Sequence, residues 1–132
     1  MALVVGNLAE VIMLNYILNK DTVEDLEIHL YGNDRVPVET EAISDYTEIS
    51  GGGYAFVTLT PANWTVVAGT PSSADYPQIT WTFTGVVGNV YGYYITRQTG
   101  GELMWAERFT NGPFSINNNG DVIRVTPRLT LE

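Results

Sequence analysis

His29 is the only histidine of the chain. It stands in the run "LEIHLY" (26–31), two positions from Glu27. A hydroxyl or thiol nucleophile would need it as a general base, with a carboxylate to orient the ring. The chain has no cysteine, and no serine sits in a strand-to-helix elbow. A zinc-type site would need partners at matched spacing, and none is present. His29 therefore reads as a surface or interface residue on the polar face of a strand. Glu102 and Glu107, near Tyr94 and Trp105, are a second candidate set, because two carboxylates beside aromatics suit glycoside hydrolysis. Side chains alternate along a strand, so an offset of five puts the two on opposite faces. Glu107, on the side expected for Leu103 and Trp105, is expected to meet an arginine such as Arg124.

Two further stretches resemble ligand loops only by letter. "NNNGD" (117–121) is rich in side-chain oxygens but lacks the alternation and closing Glu of a calcium loop, and reads as a tight turn. "GGGY" (51–54) is followed by neither Lys-Ser/Thr nor a helix, so it is an entry into a strand and not a phosphate cradle. No catalytic residue set emerges, the expectation is a non-enzyme, and nothing in the chain asks for a cofactor or metal. The aromatic residues remain. Exposed rings on a β-sandwich can stack on sugars, while alternating rings also fill a sandwich core. Trp81 belongs to the core reading. Tyr91 and Tyr93, which flank Gly92 and are expected to share a face, are the candidates for glycan contact together with Trp64; core or subunit contact is the competing role.

The elements that must position these residues follow from periodicity. "NLAEVIMLNYILN" (7–19) has helical spacing with Asn7 as N-cap and Glu10 three residues on, as in a capping box. Leu8, Val11, Ile12 and Leu18 define one face, yet Met13, Leu14, Tyr16 and Ile17 make the rest apolar too. From Leu26 the period changes to two. "LEIHLY", "YAFVTLT" (54–60), "ITWTFT" (79–84) and the two runs flanking "QTGG" within 90–109 read as strands, the last pair as a hairpin. In "VIRVTPRLTL" (122–131) Pro127 cannot donate to a ladder, so the strand lies at an edge or breaks there. Residues 32–53 and 68–77 read as irregular. Seven or eight short strands with frequent turns predict one domain over 1–132, mainly β: an antiparallel sandwich, jelly-roll-like, preceded by one helix at 7–19.

Composition narrows the partners. Six basic against fifteen acidic residues give a net charge of −9, and the basic residues are scattered singly. Nucleic-acid backbones and anionic membranes need clustered Lys and Arg, so neither is an expected partner. The opening residues lack a basic region and a cleavage site, so no secretory signal is expected, and the apolar run is too short to span a bilayer. A helix apolar all round must be buried on more than one side. One side can lie on its own sheet; the other then needs a second subunit or a different protein, unless the strands close around it. Leu8, Val11, Ile12, Tyr16 and Ile17 are the residues expected at that interface.

The opening helix together with "GGGYA", "YPQITWTFTG", "VYGYYI", "LMWAERF" and "NNGDVIRVTPRLTL" resembles small accessory virion proteins of tailed bacteriophages, in particular marine and cyanobacterial ones. The resemblance implies a structural protein of the virion, made in the host cytoplasm. A capsid decoration or cement protein that forms a homotrimer and binds the major capsid protein is the leading expectation; the alternative is a tail or capsid-surface module for host glycans. It implies no catalytic residues.

Overall fold

Antiparallel pairing organises the chain, which is described over residues 3–131 in a computed structural model; Met1, Ala2 and Glu132 of the expected 1–132 domain lie outside the described residues. In chain order the elements are β1 (Val4–Val5), α1 (Asn7–Ile17), β2 (Leu26–Tyr31), β3 (Val57–Leu59), β4 (Thr65–Val67), β5 (Ser72–Asp75) and β6 (Ile79–Thr82). They continue with β7 (Gly88–Val90), β8 (Gly92–Arg97), β9 (Leu103–Arg108), β10 (Phe114–Ile116), β11 (Val122–Val125) and β12 (Arg128–Leu131). The largest sheet has the order β1-β9-β8-β2-β3, and β12-β5-β4, β11-β6 and β10-β7 form three smaller ones. Among the described residues the fold is mainly β with one α-helix, two short 3-10 turns and sandwich-like packing. That sandwich character, and not a jelly-roll strand order, is what the pairing carries.

The inner face of the five-stranded sheet supplies Ile28, Leu30, Tyr93, Ile95 and Trp105 to the main core, where Trp81, Phe83, Ile123 and Val125 meet them from the β6–β11 side. Burying each such side chain contributes roughly 1.5–3 kcal/mol. "ITWTFT" behaves as its alternation predicts, with Ile79, Trp81 and Phe83 buried and the threonines outward. The opposite face of the large sheet is not left to water. Residues 32–53 return along the edge of β2, where Glu48 bridges Tyr31, with Gly32 N–H donating to the Thr47 carbonyl and Ile49 N–H to the Leu30 carbonyl, and they carry Tyr46 over that face. Tyr31, Tyr46, Tyr94, Leu103 and Ala106 form a second cluster there. β2 is therefore buried on both faces over its last residues, which places His29 inside and corrects the expectation of a polar outer face.

Two other expectations change and a third holds. Segment 68–77 contains β5, the central strand of its sheet, paired with both β4 and β12. "YAFVTLT" yields strand only at Val57–Leu59. Pro127 does break the last run: β11 pairs with β6, β12 with β5, and the chain changes sheets across Thr126 and Pro127.

The helix also starts one residue earlier in its capping than expected. Gly6 is the N-cap with no side-chain cap bond, and Asn7 N–H instead donates to the Glu39 carbonyl at 2.9 Å, so the capping box is not formed. The helix ends at Ile17 and not Asn19. Asn19 takes a left-handed φ of 54° just beyond it. Its N–H donates to the Tyr16 carbonyl and Lys20 N–H to the Asn15 carbonyl, the paired bonds of a Schellman ending. The inward stripe is Ala9, Ile12, Met13 and Tyr16, packed on the main core.

Candidate functional site

His29 is 7% exposed. Its Nδ1 lies 2.8 Å from Glu48 Oε1, its Nε2 lies 3.1 Å from Thr96 Oγ1, and Glu27 Oε2 is 3.6 Å from Nε2. The ring stacks on Tyr94 at 4.9 Å and leans on Phe56 at 5.1 Å. Hydroxyl, imidazole and carboxylate stand here in the order a nucleophile–base–orienter set requires. The Thr96 hydroxyl, however, is buried within the sheet and none of the cavities described below reaches it. The arrangement ties the covering loop to the sheet: Tyr54 O–H also donates to Glu48 at 2.8 Å while accepting from Leu30 N–H at 3.0 Å.

The two glutamates do not converge. Glu102 precedes β9 and forms a bidentate pair with Arg97, Nε to Oε2 at 2.8 Å and Nη2 to Oε1 at 2.6 Å. Glu107 accepts from the Tyr93 hydroxyl at 2.7 Å and makes no arginine contact, which corrects the expected pairing with Arg124. A bulge explains the altered faces. Ile95 opposes Trp105 while Thr96 opposes Leu103, leaving Met104 as the extra residue. Met104 and Trp105 both face the main core and Leu103 the second cluster, so Leu103 is no longer on Glu107's side. "NNNGD" is a turn: Asp121 Oδ2 accepts from Asn117 N–H and Asn118 N–H, each at 2.9 Å, and these bonds hold its carboxyl below its ordinary pKa. Gly51, Gly52 and Gly53 all have positive φ, forming a tight turn separated from β3 by residues 54–56. Among the described residues no group of three or more His, Asp or Glu is placed as metal ligands would be, and no helix is long and apolar enough to cross a membrane.

What does gather is apolar. Leu8, Val11, Leu14, Ile17 and Leu18 point away from the core along α1, with Ile17 80% exposed. Beside the C-terminal end of α1 a cavity of about 410 Å³ opens between the helix, β4, β5 and β12. Met104, Trp105 and Trp64 line it, and Ile17, Val23, Val66 and Leu131 stand around it as its exposed members; Val66 is 77% exposed. Glu24 is its single charged residue, and that carboxylate is already engaged by Thr99 N–H at 2.6 Å, Gly100 N–H at 3.0 Å and Arg97 at 3.2 Å. The helix face and the cavity are continuous through Ile17.

Arg97, 8% exposed, holds this corner together. Besides Glu102 it reaches Asp21 Oδ2 at 2.9 Å and donates to the Tyr16 hydroxyl at 3.3 Å. One guanidinium thus joins the β8–β9 hairpin, the loop after the helix and the helix itself. Residue spacing does not reveal this role, because its partners lie between five and 81 residues away.

Of the five residues expected at an interface, Leu8, Val11 and Ile17 are exposed, Tyr16 is half-buried, and Ile12 is sealed in the protein's own core and out of reach of another chain. Of the glycan candidates, Tyr93 is 3% exposed and packs in the main core. Tyr91 packs against the second cluster under Arg108, whose guanidinium carbon lies 5.0 Å from its ring centre. The two tyrosines therefore do not share a face. The strand pairing is interrupted between them, with β7 ending at Val90 and β8 beginning at Gly92. Trp64 is half-buried in the apolar cavity, edge-on to Tyr76 at 5.1 Å.

Comparison of the chain with protein-family models, with curated proteins and with solved structures finds no match in any of the three.

Proposed function

We propose that the chain is a non-enzymatic structural protein that assembles through the outer face of α1 and the cavity at its end, and that it serves as a decoration or cement protein of a phage capsid. The observation that carries the assembly reading is the set of exposed apolar side chains on and just beyond α1, Leu8, Val11, Leu14, Ile17 and Leu18, together with Val23, Val66 and Leu131 around the cavity at its end. These eight large side chains are each between 45% and 80% exposed. Leaving each in water forgoes roughly 1.5–3 kcal/mol when fully exposed.

Charge favours the same face. A net charge of −9 makes two copies repel across most of their surface. Along the helix Glu10 is the only charged residue, and Glu24 at the cavity shares the Arg97 guanidinium with Asp21 and Glu102. The reading is a homotrimer whose helix faces meet each other and the neighbouring shell subunits, with the cavity receiving an apolar side chain of a neighbour. The virion context rests on the sequence resemblance, and the geometry supports the assembly part of it.

The test is addition of purified protein to undecorated capsids of the phage that carries it. Saturable binding with increased resistance of the shell to heat supports the proposal. Absence of binding, with shell stability unchanged, overturns the cement role.

A further inference from the structure

A second cavity, of about 310 Å³, lies on a different part of the surface, where the β8–β9 pair approaches β11. Tyr93 and Glu107 contribute to it as a hydrogen-bonded pair, Phe109 and Phe114 form an aromatic wall with ring centres 5.1 Å apart, and Asn111 and Arg124 are exposed beside them. Phe114 is 40% exposed and belongs to neither core cluster.

Arg124 differs from the other arginines. Arg35, Arg97, Arg108 and Arg128 each pair with a carboxylate. Among the described residues Arg124 has no ion-pair or hydrogen-bond partner, although Glu107 lines the same cavity. Glu107 accepts from the Tyr93 hydroxyl at Oε2, and among the described residues no cation pairs with it. The cavity therefore presents a guanidinium and a carboxylate that do not pair with each other, together with an aromatic surface.

We infer that this cavity binds a neutral pyranose, with the apolar face of the ring against Phe114 and Phe109 and its hydroxyls shared between Glu107, Asn111 and Arg124. The volume is at the small end of ligand sites, which suits a single sugar ring. An apolar ligand would strip water from Glu107 and Arg124 and return no hydrogen bonds. An anion would meet both the Glu107 carboxylate and the field of a protein with net charge −9. A cation would face the Arg124 guanidinium. An uncharged ligand rich in hydroxyls donates to Glu107 and accepts from Arg124 at once. The sugar-binding role expected of Tyr91, Tyr93 and Trp64 as exposed platforms is thereby moved to other residues, with Tyr93 acting through the orientation of Glu107. The site is separate from the assembly face and does not depend on it.

The experiment is an amide NMR titration of the full chain with the methyl glycosides of glucose, galactose and mannose, and with glucuronate as the charged comparison. The expected result is that at least one neutral glycoside shifts the amides of Phe109, Asn111, Phe114 and Arg124 in the millimolar range, more tightly than glucuronate. Phe114→Ala and Arg124→Gln each weaken it about tenfold or more, while amides of β6 stay in place and report an intact fold. Glu107→Gln keeps an acceptor for Tyr93 and separates loss of charge from loss of structure. Silence of these amides toward all three glycosides overturns the inference. So does glucuronate binding as tightly as the neutral sugars, or binding that survives Phe114→Ala. Repeating the titration with Ile17→Asp separates failure of assembly from failure of sugar binding.

Discussion

The Arg97 guanidinium donates to the Tyr16 hydroxyl at 3.3 Å, and that contact ties the end of α1 to the hairpin that forms the middle of the main sheet. Removing the guanidinium leaves Glu102, Asp21 and Glu24 facing one another without a cation. Those carboxylates are partly solvated, so Arg97→Ala is expected to cost about 3 kcal/mol, the lower end for breaking a buried pair. Urea unfolding measures the loss. Faster hydrogen exchange confined at first to residues 16–25 would show that the helix end is what loosens.

Stability depends on pH through the same corner and through the buried tyrosines. The hydrogen bonds from Arg97 hold the Glu102 carboxyl below its ordinary 4.5. A depressed carboxyl stabilises the folded state above its unfolded pKa, and the contribution is lost as pH falls through the folded value. On the alkaline side, burial raises Tyr93 above its ordinary 10.0, aided by its bond to Glu107, and burial likewise raises Tyr31, Tyr46, Tyr54 and Tyr94. A raised phenol stabilises below its unfolded pKa and that stability is lost as pH rises. Thermal melts across pH should show a plateau that falls off below about 4.5 and above about 10. Phenolate absorbance should lag behind a free tyrosine until the protein unfolds.

Two isoleucines on one helix should separate folding from assembly. Ile12→Ala opens a cavity in the core and is expected to cost about 2–5 kcal/mol. Ile17→Asp sits on a side chain 80% exposed and is expected to change monomer stability by no more than about 0.5 kcal/mol. It places a charge in the apolar face and should abolish association. Denaturation curves paired with sedimentation of each variant check both halves.

His29 fastens the covering loop. His29→Ala leaves Glu48 and Thr96 short of a partner and empties the space between Tyr94 and Phe56, for an expected loss of about 2 kcal/mol. Proteolysis within 46–56 should then be faster than in the wild-type chain.

Much of the frame was legible before any coordinates. The hairpin turn at "QTGG", the alternation of Ile79, Trp81 and Phe83 and the break at Pro127 are local signals, set by turn chemistry and by a period of two. What escaped depends on contacts distant in sequence. Nothing in "LEIHLY" says that residues 32–53 return to bury His29 and Tyr31. The polar composition of "AGTPSSADYP" conceals β5, a strand held by its neighbours β4 and β12 and not by its own propensity. The bulge at Met104 reverses which face Leu103 takes, and strict alternation cannot anticipate it. The apolar helix was readable as such, but which stripe faces inward was not: Ala9, a small residue, marks it better than the larger Leu8. The exposed apolar residues of the helix were legible from its composition, whereas the cavity and the Arg97 hub were invisible.

The most direct test of assembly through the α1 face is the solution mass of the purified chain, by light scattering on a sizing column, with Ile17→Asp run beside it. A stable multiple of the 14.5 kDa chain, a trimer on the present proposal, that falls to the monomer in Ile17→Asp is the predicted result. A wild-type chain that stays monomeric at every concentration, or an oligomer that Ile17→Asp leaves intact, would contradict it.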